Sequence, residues 1–396
     1  MKYDNFLLPL LSKYRSIQRK YPDNKIKQKS RLCLWLLKRF FDKKESYLPT
    51  LSTKIHILFL LDGGVGDIVL ALNFLKQFKK HIQFDNEIDI VVSHHMLQIA
   101  KQLSYHQTFI AHVYDYHQVG FRYDMVVRFV RIPVLRYVYY PKISQDSFLQ
   151  KWVDTVRQFN ADYCEYTLSG NITDAVCETY TRIQGRNRIS QGNIESLLRM
   201  QDDLQVSIAE NPQDVLNKYS LLSHQFITVQ RGTGQSDGFN AHSTRLWDLE
   251  NYHQLCHDLK HFYPDLMIVQ VGDKSCETIQ NTDINLCGKT TFGELLVLLK
   301  MAHYHIDSEC GMVHLRHFLS AKPSIVLFGP TKKDFYAYPE NINISSDICL
   351  GCEWIHERWR TQCLKTGDKA MCLKIIQPSV VVQKIREYED VHNKRI

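Results

Sequence analysis
The chain has 396 residues, 44% apolar and 23% charged, with 17 glycines and 11 prolines. That composition excludes a disordered or fibrous chain, and the length implies two domains of about 150–200 residues each. The net charge of +7 is concentrated at one end: residues 1–50 hold 13 Lys/Arg against 4 Asp/Glu, which leaves the remainder slightly acidic.

The basic segment 1–50 interleaves its charges with apolar groups, as in "RLCLWLLKRFFDKK", where Trp35, Leu36, Phe40 and Phe41 stand beside Lys38, Arg39 and Lys43. Two readings stay open for this arm. It rests as an interfacial helix on anionic lipid, or it packs on its own domain or a second subunit. No nucleic-acid-binding motif accompanies it. Eleven cysteines occur, with no cleavable signal pattern and no apolar run of the roughly 18 residues that span a bilayer. The expectation is a reduced, cytoplasmic chain, peripheral at the inner membrane face if the arm meets lipid.

From Lys54 the pattern becomes one of alternating strands and helices. "KIHILFLL" reads as a buried strand, followed by the loop "DGGVGD" and a helix with apolar residues at Ile68, Ala71, Leu72, Leu75 and Phe78. "EIDIVVS" and "YDMVVRFV" read as further strands, with "MLQIAKQL" helical between them. The stretch 141–220 is polar and connecting, with helices expected in "QDSFLQKWVDTVRQF" and "NIESLLRMQDDL". Alternation restarts with strands in "QFITVQRG", "LMIVQVGD", "INLCG", "HYHIDS" and "PSIVLFGP". Helices are expected in "WDLENYHQLCHDLKHF", "FGELLVLLKMA" and "GMVHLRHFLSA". Two successive units of this kind predict an α/β protein with two Rossmann-like domains facing a cleft, ligands lying beyond the carboxyl ends of the strands.

Three loops follow strands and carry chemistry-bearing residues. In "GGVGD" the glycines suggest close approach by a ligand, and Asp67 stands where the helix begins, a helix cap or a functional acid. The loop "QRGTGQSDGFNAHSTRLW" offers Arg231, Ser243, Thr244 and Arg245, with Asp248 and Glu250 available as alternative partners for Arg245. In "HIDSECGMVH" a strand gives way to a helix near Gly311. The amides of Ser308, Glu309, Gly311 and Met312 would face a phosphate there, and His314 lies one turn in. Asp307 or Ser308 could equally cap that helix.

Read together, "CGKTT", "CGMVHL" and "AKPSIVLFGPT" resemble the C-terminal core of glycosyltransferase family 9, the bacterial heptosyltransferases. Gly288, Lys289 and Thr290 match one family motif; Gly311 and His314 match the next; Lys322, Pro323, Phe328, Gly329, Pro330 and Thr331 match the third. Glu309 and Cys310 stand where the family has Asp and Ser/Thr, and Asp307 fits the acid only across a two-residue insertion. The tail "CLKIIQPSVVVQKI" is similar as well, so the resemblance spans about 54–390.

The resemblance implies a GT-B architecture: a basic arm over 1–50, an acceptor domain over 51–215, a nucleotide-sugar domain over 216–375 and a terminal helix over 376–396. It implies an inverting, metal-independent transfer, of heptose from ADP-heptose onto a hydroxyl of a cell-surface glycan such as lipopolysaccharide core. Asp67 would be the general base, with Gly64 and Gly66 on the acceptor side. Arg231, Ser243, Thr244, Arg245, Asp307, Ser308, Glu309, Gly311, Met312 and His314 would serve the donor. No catalytic cofactor is expected, since no Asp-x-Asp pair occurs in the chain. Cys349, Cys352, Cys363 and Cys372 are either a structural zinc or iron site or reduced, packed thiols. The first fits the branch of the family that modifies autotransporter proteins. Other acceptors or nucleotide sugars remain alternatives. An NAD-binding oxidoreductase is a remote one, lacking the third glycine of its fingerprint.

Overall fold
The computed structural model describes residues 14, 17, 24–41, 48–103, 109–110, 122–163, 170–201, 204–232, 243–349, 351–356, 358–367 and 370–392, with the backbone alone for 35–41, 109–110 and 170–173. The arm is therefore described mainly as helix α1 (Lys25–Phe41), which exposes Ile26 and Leu34. Trp35, Leu36, Phe40 and Phe41, on which lipid contact was expected to rest, have side chains outside the described set.

Two open sheets carry the fold. The first has the order β3-β2-β1-β4-β5, from β1 (Ile55–Leu61), β2 (Asn86–Val91), β3 (Phe109–Ile110), β4 (Met125–Phe129) and β5 (Pro133–Val138). Its strands are parallel except β5, which returns antiparallel beside β4. The run Ile55, Ile57, Phe59 and Leu61 is fully buried, as a strand covered on both faces requires. Helix α2 (Val65–His81) lays Phe74 and Phe78 against Phe59 and Phe129, and Phe78 meets Trp152 of helix α3 (Ser147–Tyr163). Each such ring contributes roughly 1.5–3 kcal/mol by leaving water.

The second sheet is wholly parallel, ordered β11-β10-β9-β6-β7-β8 from β6 (Phe226–Val229), β7 (Met267–Gln270), β8 (Ile284–Asn285), β9 (His305–Ser308), β10 (Ser324–Phe328) and β11 (Ile342–Ser345). Helices α4 (Leu249–Phe262), α5 (Phe292–Met301) and α6 (Gly311–Phe318) are its crossovers, and α7 (Pro378–His392) packs on α4. Local sequence sets their starts. Thr291 accepts the Glu294 amide at 3.2 Å while Glu294 accepts the Thr291 amide at 2.8 Å, a reciprocal cap that opens α5.

Chain order fixes where a ligand belongs. From β1 the chain steps to β2 on one side and later to β4 on the other; from β6 it steps to β7 on one side and later to β9 on the other. The two switch points, β1/β4 and β6/β9, open crevices at the strands' carboxyl ends.

One expectation needs correction, and three elements lie outside the runs read from the sequence. "NIESLLRMQDDL" is not a helix: only Ile194–Ser196 form a single 3-10 turn, and Glu195 and Ser196 take positive φ. Strand β5 is half-exposed and opens with a proline, so it lacks the buried run that marks the other strands. Helix Gly170–Ile183 and strand β11 are the other two. No helix among the described residues is long and apolar enough to cross a membrane.

Candidate functional site
Both switch points open onto one cleft. The first sheet contributes Gly64, Gly66 and Asp67 after β1 and Arg131 after β4. The second contributes Gln230 after β6 and Glu309, Cys310, Gly311 and Met312 after β9, with His314 in the first turn of α6. Arg245, Arg188, Tyr336, Glu353 and Arg360 complete the walls. The cavity is about 260 Å³ and opens to solvent.

The glycines of the first loop have a reason other than the expected one. A Cβ on Gly66 would lie 2.7 Å from His314 Cδ2 and 3.2 Å from Gly311 Cα; one on Gly311 would lie 2.9 Å from the Gly66 nitrogen. Gly66 and Gly311 thus let the starts of α2 and α6 touch, and the close approach is helix to helix. Gly63, at φ +117°, is required for a different reason: a side chain there would meet Asp67 Oδ2 at 2.5 Å.

Asp67 is both cap and cleft residue. Its Oδ2 accepts the Gly64 amide at 3.1 Å, and Oδ1 accepts Arg188 Nη2 at 2.6 Å, with Arg131 Nε 3.9 Å away. Its side chain keeps 22% exposure toward the cleft. Burial pushes the carboxyl up, but Arg131, Arg188 and the Gly64 amide together outweigh burial and hold it below the usual carboxylate range. It is ionised at neutral pH and can take a proton. The two arginines, the first from the β4–β5 connection and the second from the polar stretch after α3, carried no periodic or motif signal in the sequence.

Across the cleft, Trp247 is fully buried and its indole N–H donates to Ile376 O at 3.0 Å, which anchors the loop that bears Arg245. Arg245 Nη2 donates to Glu309 O at 2.6 Å and to Glu309 Oε2 at 3.1 Å. His314 Nε2 is 3.4 Å from Glu309 Oε1, and its Nδ1 lies 2.6 Å from Tyr338 Oη. Burial raises the Glu309 carboxyl, yet His314 and Arg245 outweigh it and leave the group below its ordinary value. Arg245 and His314 thus converge on the Glu309 carboxylate beside the first amides of α6, a corner whose donors suit an anion.

Of the donor-side residues expected, Arg245, Glu309, Gly311, Met312 and His314 line the cleft; Arg231, Ser243, Thr244, Asp307 and Ser308 do not. Arg231 is a buried strut that binds Trp247 O at 3.0 Å and Glu277. Thr244 holds Trp359 O at 2.6 Å through its hydroxyl, and its amide holds Arg360 O at 2.9 Å. Ser243 closes the turn, its Oγ accepting the Arg245 amide at 3.3 Å. Asp307 lies behind the α6 start, where Cys310 Sγ donates to it at 2.7 Å and burial drives its carboxyl well above the usual range. The strand register explains the outcome: β9 ends with Ser308 opposite Leu327, so Glu309 is the first residue beyond the sheet. Of the two acids on this side, Glu309 and not Asp307 lines the cleft.

Cys349, Cys352, Cys363 and Cys372 are free thiols within electrostatic reach of one another. Even so, no three His, Cys, Asp or Glu side chains among the described residues are arranged to hold a metal. The donor atoms suit zinc or iron, but among the described residues their placement forms no metal site, the first of the two readings above.

Comparison with known proteins gives this geometry a family context. Residues 241–368 match the model of glycosyltransferase family 9 (heptosyltransferase). In fold the chain is similar to ADP-heptose lipopolysaccharide heptosyltransferase II of E. coli, at 15% identity and TM-score 0.54, over 86% of this chain and 100% of that one. It is similar also to a family 9 glycosyltransferase from Veillonella parvula, at 15% identity and TM-score 0.55, over 86% and 98%. A third likeness is to TibC, an iron-containing dodecameric glycosyltransferase from enterotoxigenic E. coli, at 11% identity and TM-score 0.53, over 87% and 78%. No curated protein matches the chain in sequence. The GT-B fold and the family resemblance read from 288–331 are borne out, and the class of enzyme is that of a glycosyltransferase.

Proposed function
We propose that the chain is a family 9 glycosyltransferase that moves a sugar, heptose from ADP-heptose, onto a hydroxyl of a cell-surface glycan such as lipopolysaccharide core, with inversion and without a metal. The single observation that carries the reading is that Asp67 and the mouth of α6 line one cleft at the two switch points. Residues 51–215 would serve the acceptor and 216–375 the donor. The donor diphosphate would lie against the amides of Gly311 and Met312, with Arg245 and His314 as further donors.

In the transfer, Asp67 takes the proton of the acceptor hydroxyl as its oxygen attacks the anomeric carbon. The bond from that carbon to the diphosphate oxygen breaks, and ADP leaves on the opposite face. Held low by two arginines, Asp67 is a weak base in the resting site. Proton transfer therefore belongs late in the reaction, when the attacking oxygen has become acidic. Charge grows on the departing diphosphate, where Arg245, His314 and the helix amides stand ready. Those fixed cations and dipoles do there what a divalent ion would otherwise do. Cleft closure through Gly66 and Gly311 aligns the two substrates. We place the enzyme in the cytoplasm, the basic charge of residues 1–50 drawing it to the inner membrane face.

A second reading keeps the site and changes the acceptor to a protein hydroxyl. It is the alternative acceptor that the family resemblance allows, and the iron-containing TibC is among the chains of similar fold. A thermal-shift screen of sugar nucleotides, followed by transfer assays with glycan and protein acceptors in excess chelator, tests both. Stabilisation by ADP-heptose and chelator-resistant transfer to glycan are expected. Transfer to protein alone favours the second reading, and stabilisation by no sugar nucleotide removes both.

A further inference from the structure
We propose that Glu353, supported by Tyr336, reads a hydroxyl of the transferred sugar and so sets donor specificity. The inference deepens the donor reading above and rests on it. Glu353 lies in the cysteine-rich segment, where no family motif fell, yet it lines the cleft with Asp67, Arg131 and Glu309.

The backbone is wound to turn this side chain inward. Gly351 takes φ +82° and Trp354 takes φ +64°, a conformation that a tryptophan rarely adopts. The Glu353 amide donates to Pro330 O at 3.0 Å, which ties the turn to the carboxyl end of β10, one strand from the mouth of α6. Arg131 stacks 4.3 Å over the Trp354 ring and Arg360 5.3 Å over it, so the turn is clamped from the Asp67 side as well. A sugar held by its diphosphate at α6 and presented to Asp67 would pass this residue.

Glu353 is only 4% exposed. Its Oε1 accepts Tyr336 Oη at 3.1 Å, while Oε2 is buried with no hydrogen-bond partner among the described residues. Buried polar atoms of native proteins are nearly always paired, and an orphan on a cleft wall marks a ligand position. The surroundings define the ligand's chemistry. Arg131 and Arg245 disfavour a cation, and Glu178 and Glu309 disfavour an anion. Burial, reinforced by Glu178 and Glu309, pushes the Glu353 carboxyl up to about 8, so at neutral pH it both donates and accepts. A neutral polyol meets that requirement.

Titration calorimetry of the full chain with ADP and with ADP-heptose tests the proposal in wild type, Glu353→Ala, Glu353→Gln and Tyr336→Phe. Glu353→Ala should weaken ADP-heptose about tenfold, the cost of one buried hydrogen bond, and leave ADP within twofold. Glu353→Gln, which also donates and accepts, should recover most of that loss. Tyr336→Phe should weaken ADP-heptose a few-fold with ADP unmoved, and it carries the test if Glu353→Ala does not fold. Parallel losses for both ligands, or no loss for ADP-heptose, would overturn the proposal. Wild-type protein that binds ADP no more weakly than ADP-heptose would also overturn it. Failure of wild type to bind either ligand would instead show the donor reading itself to be wrong, and the inference would fall with it.

Discussion

A carboxyl that stays protonated to about pH 8 in the folded chain should leave a mark on stability. Glu353 is faced by Tyr336, Glu178 and Glu309 and by the cations Arg131 and Arg245. Its ordinary value is 4.5, and in the fold it is pushed up to about 8, by burial first. Between those two pH values the unfolded chain has released this proton and the native chain has not. Stability therefore falls as pH rises, fully present below 4.5 and lost by about 8. At about 1.4 kcal/mol per pH unit the loss reaches roughly 5 kcal/mol at most. Glu353→Gln fills the same space and does not titrate. Urea unfolding of both proteins at pH 5 to 9 should show wild type losing ground steadily to Glu353→Gln up to about pH 8 and no further beyond it. A stability difference that stays constant across that range would refute the reasoning, because it would mean that Glu353 ionises as freely in the fold as outside it.

Three other outcomes follow from the geometry. Asp67→Ala should cut transfer by roughly 10²–10⁴-fold while donor affinity, measured by calorimetry, stays within about threefold; an unchanged rate would remove Asp67 from the chemistry. Arg188→Ala takes away the closest cation from Asp67, so the carboxyl rises toward its ordinary value and the acidic limb of the kcat–pH profile should move to higher pH. A limb that does not move would show that Asp67 does not govern it. Gly66→Ala places a methyl group 2.7 Å from His314 Cδ2 and 3.2 Å from Gly311 Cα, so the two helix starts must part. Transfer should drop by tenfold or more, and thermal melting should fall by a few degrees; wild-type rates would mean that closure through these glycines is dispensable.

The two-sheet fold was legible because its strands are short buried runs and its helices keep their period, with caps such as Thr291–Glu294 spelled out locally. Asp67, Gly66, Arg245, Gly311 and His314 were legible for a related reason: each sits within a few residues of a strand's carboxyl end or of a helix start. Arg131, Arg188 and Glu353 were not. Arg131 and Arg188 reach Asp67 within the first unit, from connections that carry no motif, and Glu353 joins them only where the two units meet. The competition between Asp307 and Glu309 turned on where β9 ends, a one-residue question that strand pairing decides and composition does not. Arg231 and Thr244 misled because a polar residue in a loop can serve the loop itself. Both bind backbone carbonyls that hold Arg245 in position. The cysteine spacing showed four thiols near one another but not how their sulfur atoms are directed.

The account's central claim is that a nucleotide sugar is held by its diphosphate at the start of α6, facing Asp67. A crystal structure of the chain soaked with ADP tests this most directly. Density for two phosphates within hydrogen-bonding distance of the Gly311 and Met312 amides, with Arg245 and His314 turned to them, is the expected result. ADP bound elsewhere, or phosphates that leave Arg245 on Glu309 and the α6 amides untouched, would contradict it.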